Sequence, residues 1–213
     1  ARFFDIANSH AYTTLQYIVR DDGSTAHTYL KDPSTGEPLG QKTHQGYSDE
    51  SLWARGQAWA ILGFAIAYDW TGDSAMLGAS QKTASRFLAE LTPDNIPMWD
   101  FRLRADAPKA RDTSAAVIAA MGLLRLANYL GGEVGAKYTS IAQELVKAQI
   151  KAAFDPALEG VEGLLGLSTY QAMRPELTEQ YTLFGDYFFL EVLAWLSGNR
   201  TDFWGKSDLT NQP

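Results

Sequence analysis

Apolar residues return every three or four positions through most of this chain, which is the rhythm of amphipathic helices. No segment alternates strictly enough to demand a sheet. The spacing predicts six helices, over about residues 2–18, 50–70, 74–91, 113–130, 134–154 and 186–196. The first puts Phe3, Ile6, Ala7, Ala11, Thr14, Leu15 and Ile18 on one face. Thr71-Gly72-Asp73, Gly131-Gly132 and Gly198-Asn199 punctuate the ends of the second, fourth and sixth.

Two kinds of helix alternate. The second, fourth and sixth are apolar almost all round, as in "WAILGFAIAYDW" and "SAAVIAAMGLLRLANYL". The first, third and fifth carry charge on one side. A helix apolar on every side is enclosed, whereas a striped one covers a core. The order is therefore inner and outer in turn, repeating about every 60 to 70 residues like an array of helical hairpins. A simple solenoid would satisfy the repeat. Inner helices enclosed on all sides fit better with an all-α closed ring, an (α/α)6 toroid of which this chain holds about three of the six pairs. Residues 1–213 are expected to form a single domain.

Connections alternate as well. Turns from inner to outer helices are tight, and those from outer to inner are long: residues 20–49, 92–112 and 155–185. Long structureless loops are usually functional. In such an array all three fall on the rim where inner helices begin, with positive helix-dipole ends that favour an anionic ligand.

Composition narrows the function. A net charge of −7 without a basic stripe argues against nucleic acid. No apolar run reaches the roughly 20 residues that span a bilayer. With no cysteine there are no disulfides or thiolate metal sites, which favours a cytoplasmic location. Three histidines are few for a metal centre, and no metal or cofactor is expected. The chain opens without Met and already in helical rhythm, as a cut through a longer protein would.

The candidate chemistry lies on the predicted rim. In "HQGYSDESLWARGQAWA" (44–60), Ser48 or Asp49 is expected to cap the second helix, and Arg55 and Trp59 share a face. They could form a structural guanidinium–indole stack or a sugar-binding wall. His27, His44 and Gln45 offer hydrogen-bonding groups from the loop before it. Arg102, Arg104, Lys109 and Arg111 make the second loop locally basic, where an acidic substrate would arrive. Trp99 could be platform or plug. Glu176, Glu179 and Asp186 lie among aromatics; Asp112 or Thr113 is expected to cap the fourth helix and Asp186 the sixth.

The segments "DGSTAHTYLKDPSTGEPLG", "KTHQGYSDESLWARGQAWAILGFAIAYDWTGD", "RDTSAAVIAAMGLL" and "GDYFFLEVL" resemble the unsaturated glucuronyl hydrolases, glycoside hydrolase family 88. The resemblance runs from near residue 1 to about residue 196 and implies a six-pair (α/α) toroid. The activity it implies is release of the 4,5-unsaturated uronic acid that polysaccharide lyases leave on oligosaccharides. An aspartic acid protonates C4 of the vinyl ether, water adds at C5, and the hemiketal opens. His27, Gln45, Arg55 and Trp59 match substrate-contacting positions, with His44 beside them. The family's acid aspartate maps before residue 1, so the catalytic residue is not expected in this chain, and the chain alone is expected to be inactive. The expected partners are an unsaturated uronic-acid oligosaccharide and either a second copy or a separate N-terminal half. A non-catalytic carbohydrate- or protein-binding array and an unsaturated rhamnogalacturonyl hydrolase are the rival readings.

Overall fold

The computed structural model describes residues 2–154, 156–157, 160, 163–200 and 204–205. Six helices follow in order: α1 (Arg2–Tyr17), α2 (Ala54–Thr71), α3 (Ser74–Glu90), α4 (Thr113–Leu130), α5 (Gly132–Ala153) and α6 (Leu183–Leu196). A short antiparallel hairpin, β1 (Thr28–Lys31) with β2 (Pro38–Lys42), lies between α1 and α2.

The core is built on α4. Every residue from Thr113 to Leu126 is buried. Among the described helices it alone is long and apolar enough to cross a bilayer, yet here it is enclosed by protein. It packs against α2 and α6 on either side and against α5 behind, while α3 covers α2. This is the inner-and-outer alternation of an (α/α) toroid. Gly122 permits the closest approach: a Cβ there would sit 2.7 Å from Ile61 Cγ2 and 3.0 Å from the Leu62 nitrogen.

The enclosure expected of all three inner helices holds for α4 and not for its neighbours. Gly63 of α2 is exposed, and so are Leu183 (87%) and Leu190 (54%) of α6. No residue of α1 is buried despite its apolar stripe. Its C-terminal half rests Ala11 and Leu15 against the Phe64–Met76–Ala79 cluster, and the Tyr12 hydroxyl donates to the Asp73 carboxylate. The N-terminal half leaves Phe3 85% exposed.

Several local expectations are corrected. The hairpin contradicts the absence of a sheet; its strands of four and five residues are too short to show a period. Its turn is the Asp32–Gly36 segment, closed by Asp32 Oδ1 accepting from the Ser34 and Thr35 amides at 2.8 and 2.9 Å. α2 starts at Ala54 rather than Glu50, because the Asp100 carboxylate gathers residues 47–52 into a tight turn. It accepts from the Tyr47 and Leu52 amides and the Ser51 hydroxyl. Ser48 and Asp49 therefore cap nothing; Asp49 instead accepts from the Thr43 amide and Lys42. α5 starts two residues early, at Gly132. α6 is capped by Thr182, whose hydroxyl accepts from the Gly185 amide. Asp186 sits inside the first turn and accepts from the Leu164 and Leu165 amides.

Replacing Gly122 by Val overpacks the α2–α4 crossing. The expected loss is about 2–3 kcal/mol, read as a lower urea midpoint at unchanged slope.

Candidate functional site

The loops at the start of the inner helices meet as expected, and what joins them is one buried ion pair. Arg55, in the first turn of α2, is 2% exposed, and Asp112, just before α4, is 0% exposed. Arg55 Nη1 donates to Asp112 Oδ2 at 2.6 Å, to the Thr169 carbonyl at 2.8 Å and to Ser114 Oγ at 3.2 Å. Nη2 donates to the Tyr170 carbonyl at 3.0 Å. Asp112 Oδ1 accepts from the Ser114 hydroxyl at 2.5 Å and the Thr169 amide at 3.3 Å. Burial pushes the Asp112 carboxyl above the ordinary carboxylate range, and Arg55 and Ser114 pull against it.

From this node the rim is assembled outward. The Tyr170 carbonyl also accepts from the Gln45 amide group at 2.9 Å, and Gln171 donates to the His44 carbonyl at 2.7 Å. The 43–46 turn then holds His27. Its Nδ1 lies 3.1 and 3.3 Å from the backbone nitrogens of His44 and Gln45 and 3.2 Å from Thr43 Oγ1. The imidazole lies 4.3 Å from the Trp53 ring at a tilt of 32°. Burial, then the proximity of His44 and Arg55, pushes the His27 pKa down to about 4.

His27, Trp53 and Trp59 line a trough of about 1050 Å³ between α1 and α2. Trp59 is braced edge-on by Phe188 at 5.2 Å. Gly56 lets Trp53 fold over the helix mouth, since a Cβ there would meet the indole at 2.6 Å. None of the residues lining this trough is a carboxylate. Among the described residues no group of three or more Asp, Glu or His is placed to hold a metal ion.

The five sequence candidates thus divide. His27 and Trp59 face the trough, while His44 and Gln45 form the turn behind His27. Arg55 lies beneath, committed to Asp112 and two carbonyls. Its guanidinium lies 4.8 Å over Trp53 and 4.7 Å over Phe184, so the stacking alternative is realised with those two rings and not with Trp59. Asp112 occupies the cap position of α4 without making a cap bond. The basic second loop is neutralised in part: Arg102 pairs with Asp22 and Arg111 with Asp94, each at 2.7 Å. Trp99 is a plug, 0% exposed. Glu179 accepts from the Arg111 amide. Trp53 was the residue missed; its signal was the Gly three positions on.

An arc of inner and outer helices with an aromatic trough at one edge is part of an (α/α) toroid. The chain is similar to unsaturated glucuronyl hydrolases along nearly its whole length. The one from Bacillus sp. strain GL1 is 34% identical over 203 residues, covering 93% of this chain and 53% of that protein. The solved structure from Bacillus sp. GL1 matches with a TM-score of 0.90 and 32% identity, over 96% of this chain and 55% of that one. A substituted form from Streptococcus agalactiae, solved with dGlcA-GalNAc6S, matches at 0.79 and 32%, over 90% and 52%. These relatives are named as hydrolases. The chain spans about half the length of the curated relatives it matches. No family model matches it.

Asp112→Ala leaves Arg55 charged and buried, and is expected to cost about 3–5 kcal/mol in urea unfolding. Arg55→Met with Asp112→Leu is expected to recover most of that stability. The lowered His27 pKa also sets a sign. The unfolded histidine binds a proton below about 6.5, whereas the folded one resists until about 4. Stability from this group is complete above the first value and is lost as pH falls towards the second. His27→Gln should flatten that part of the stability profile.

Proposed function

We propose that this chain is a single domain forming one wall of an unsaturated glucuronyl hydrolase-like toroid, and that its trough binds the unsaturated uronic-acid end of an oligosaccharide. The observation that carries the reading is the His27–Trp53–Trp59 wall, held by the 43–46 turn and the Arg55–Asp112 node. Trp59 offers a flat apolar face for a sugar ring. His27 and Gln45 contribute polar groups at the rim, and Arg55 sets their position from behind. His44 contributes its backbone amide.

The reaction proposed for the complete ring is hydration of the 4,5 double bond. A carboxylic acid protonates C4, the cation spreads onto the ring oxygen, and water adds at C5 after losing its proton to a base. The resulting hemiketal opens and releases the remaining sugar. The trough brings an aromatic wall and neutral donors to this chemistry and no carboxylate. We assign the proton donor to complementary polypeptide.

The same trough supports the seat of that polypeptide. Gly56, Ala60, Gly63 and Ala67 recur along one face of α2 at helix spacing, a floor that lets a second helix approach closely. Phe3, Phe4 and Ala7 of α1 form the facing wall. We place an apolar helix of the complementary half there, which would bury the stripe of α1. A second copy of this chain is the competing occupant.

The test is direct. The 213-residue chain alone should leave the ultraviolet absorbance of an unsaturated uronyl disaccharide unchanged, and the complementary half of a relative should restore its decay. Decay with the chain alone sinks the division of labour; none on reconstitution sinks the activity. Sedimentation should show association, and a single monomeric boundary at all concentrations counts against the docking seat. Trp59→Ala should weaken disaccharide binding about three- to tenfold, measured by titration calorimetry.

A further inference from the structure

The environment of His27 contains more information than its place in the trough. Its Nδ1 faces donors from three directions: the His44 and Gln45 amides and the Thr43 hydroxyl. The hydroxyl is available as a donor because its oxygen already accepts from the Gly46 amide at 2.9 Å. The Thr43 amide is tied in turn to Asp49 Oδ1 at 2.9 Å, so the turn cannot swing away at no cost. A proton on Nδ1 would point at two N–H groups and break both bonds. In a neutral imidazole the single proton must then sit on Nε2. Among the described residues Nε2 meets no partner, and the ring lines the trough.

We propose that His27 is a fixed, uncharged hydrogen-bond donor: the 43–46 turn locks it as the Nε2–H tautomer, and that proton is offered to an oxygen of the bound uronyl residue. The contact rests on the uronyl-binding reading above; the tautomer stands on this chain's geometry alone. His27 is therefore a positioning donor and takes no part in proton transfer. The groups facing it agree. His44 lies edge-on from the turn at 5.7 Å, and Arg55 approaches from α2, adding positive potential. Trp53 presents a ring face, and His10 of α1 opens on the same trough. Asp49, the acidic group of the turn, is engaged by Lys42 and the Thr43 amide. A cationic His27 would have no carboxylate partner in the trough, whereas a neutral donor suits a hydroxyl or carboxylate oxygen equally.

The experiment is nitrogen-detected NMR of the 213-residue chain with labelled histidine. It holds three histidines, so His10→Gln and His44→Gln complete the assignment. The expected result is an unprotonated Nδ1 and a protonated Nε2 that do not change from about pH 5.5 to 8, the interval in which an ordinary histidine titrates. A protonated Nδ1, averaging between tautomers, or a midpoint near 6.5 overturns the lock. Adding an unsaturated uronyl disaccharide should shift the Nε2–H signal along the same saturation curve as the Trp59 indole. A shift at Trp59 with Nε2 unmoved overturns the contact. Silence at both overturns the uronyl reading with it, while leaving the tautomer result intact. Two variants separate the halves of the role. His27→Asn keeps an acceptor for the turn but cannot reach the ligand, whereas His27→Gln keeps a donor near the Nε2 position. His27→Asn should bind the disaccharide about tenfold more weakly than His27→Gln, the scale of one hydrogen bond; equal or reversed affinities overturn the proposal.

Discussion

One buried ion pair decides the shape of the rim. Arg55 and Asp112 are 57 residues apart and belong to neighbouring inner helices. Taking both charges out of water costs several kcal/mol each, which their attraction offsets only in good geometry with the remaining donors and acceptors satisfied. That condition explains the rest of the network. Ser114, the Thr169 amide and the Thr169 and Tyr170 carbonyls are all needed to complete it. An apolar pair could fill the same volume. It would not fix two carbonyl groups of the long segment before α6, and through them the Gln45 side chain and the turn behind His27.

The pair also alters the electrostatics expected of the rim. Three inner-helix starts do converge there, as the contacts among Arg55, Ser114, Ser168 and Thr182 show. Yet the positive end of α4 already faces a carboxylate of this chain, Asp112. Two of the four basic residues of the second loop are likewise paired, Arg102 with Asp22 and Arg111 with Asp94. A rim that looked cationic by residue count is compensated in part within the chain. What the trough presents to a ligand is apolar surface, aromatic faces and neutral donors.

The alternation of inner and outer helices was legible because it rests on local composition. α4, enclosed on every side, and the striped α5 need no partner to be recognised. The start of α2 was illegible, because it is set by Asp100, some fifty residues away, gathering the 47–52 turn. The hairpin escaped because its strands of four and five residues hold only about two repeats of the alternation, and their burial does not follow it. In the candidate site, His27 and Trp59 both reach the trough from the blocks expected at the rim. The buried partners of Arg55 were illegible for a physical reason. A guanidinium in the first turn of a helix looks available until its long-range acceptors are known, and Asp112 looked like an ordinary cap.

The carboxylates show why the trough points beyond its own walls. Asp49 accepts from Thr43 and Lys42, Asp100 from the 47–52 turn, Asp112 from Arg55 and Ser114, and Asp186 from Leu164 and Leu165. Each is used as an acceptor that shapes a turn or joins helices, which leaves none of them free to deliver a proton into the trough. Protonating an enol ether requires an acid within hydrogen-bonding reach of the carbon that receives the proton. The apolar stripe of α1 faces the same space without being buried. Under the proposed function one element serves both ends: a helix seated on the small-residue floor of α2, covering α1 and bringing a carboxyl group beside His27 and Trp59.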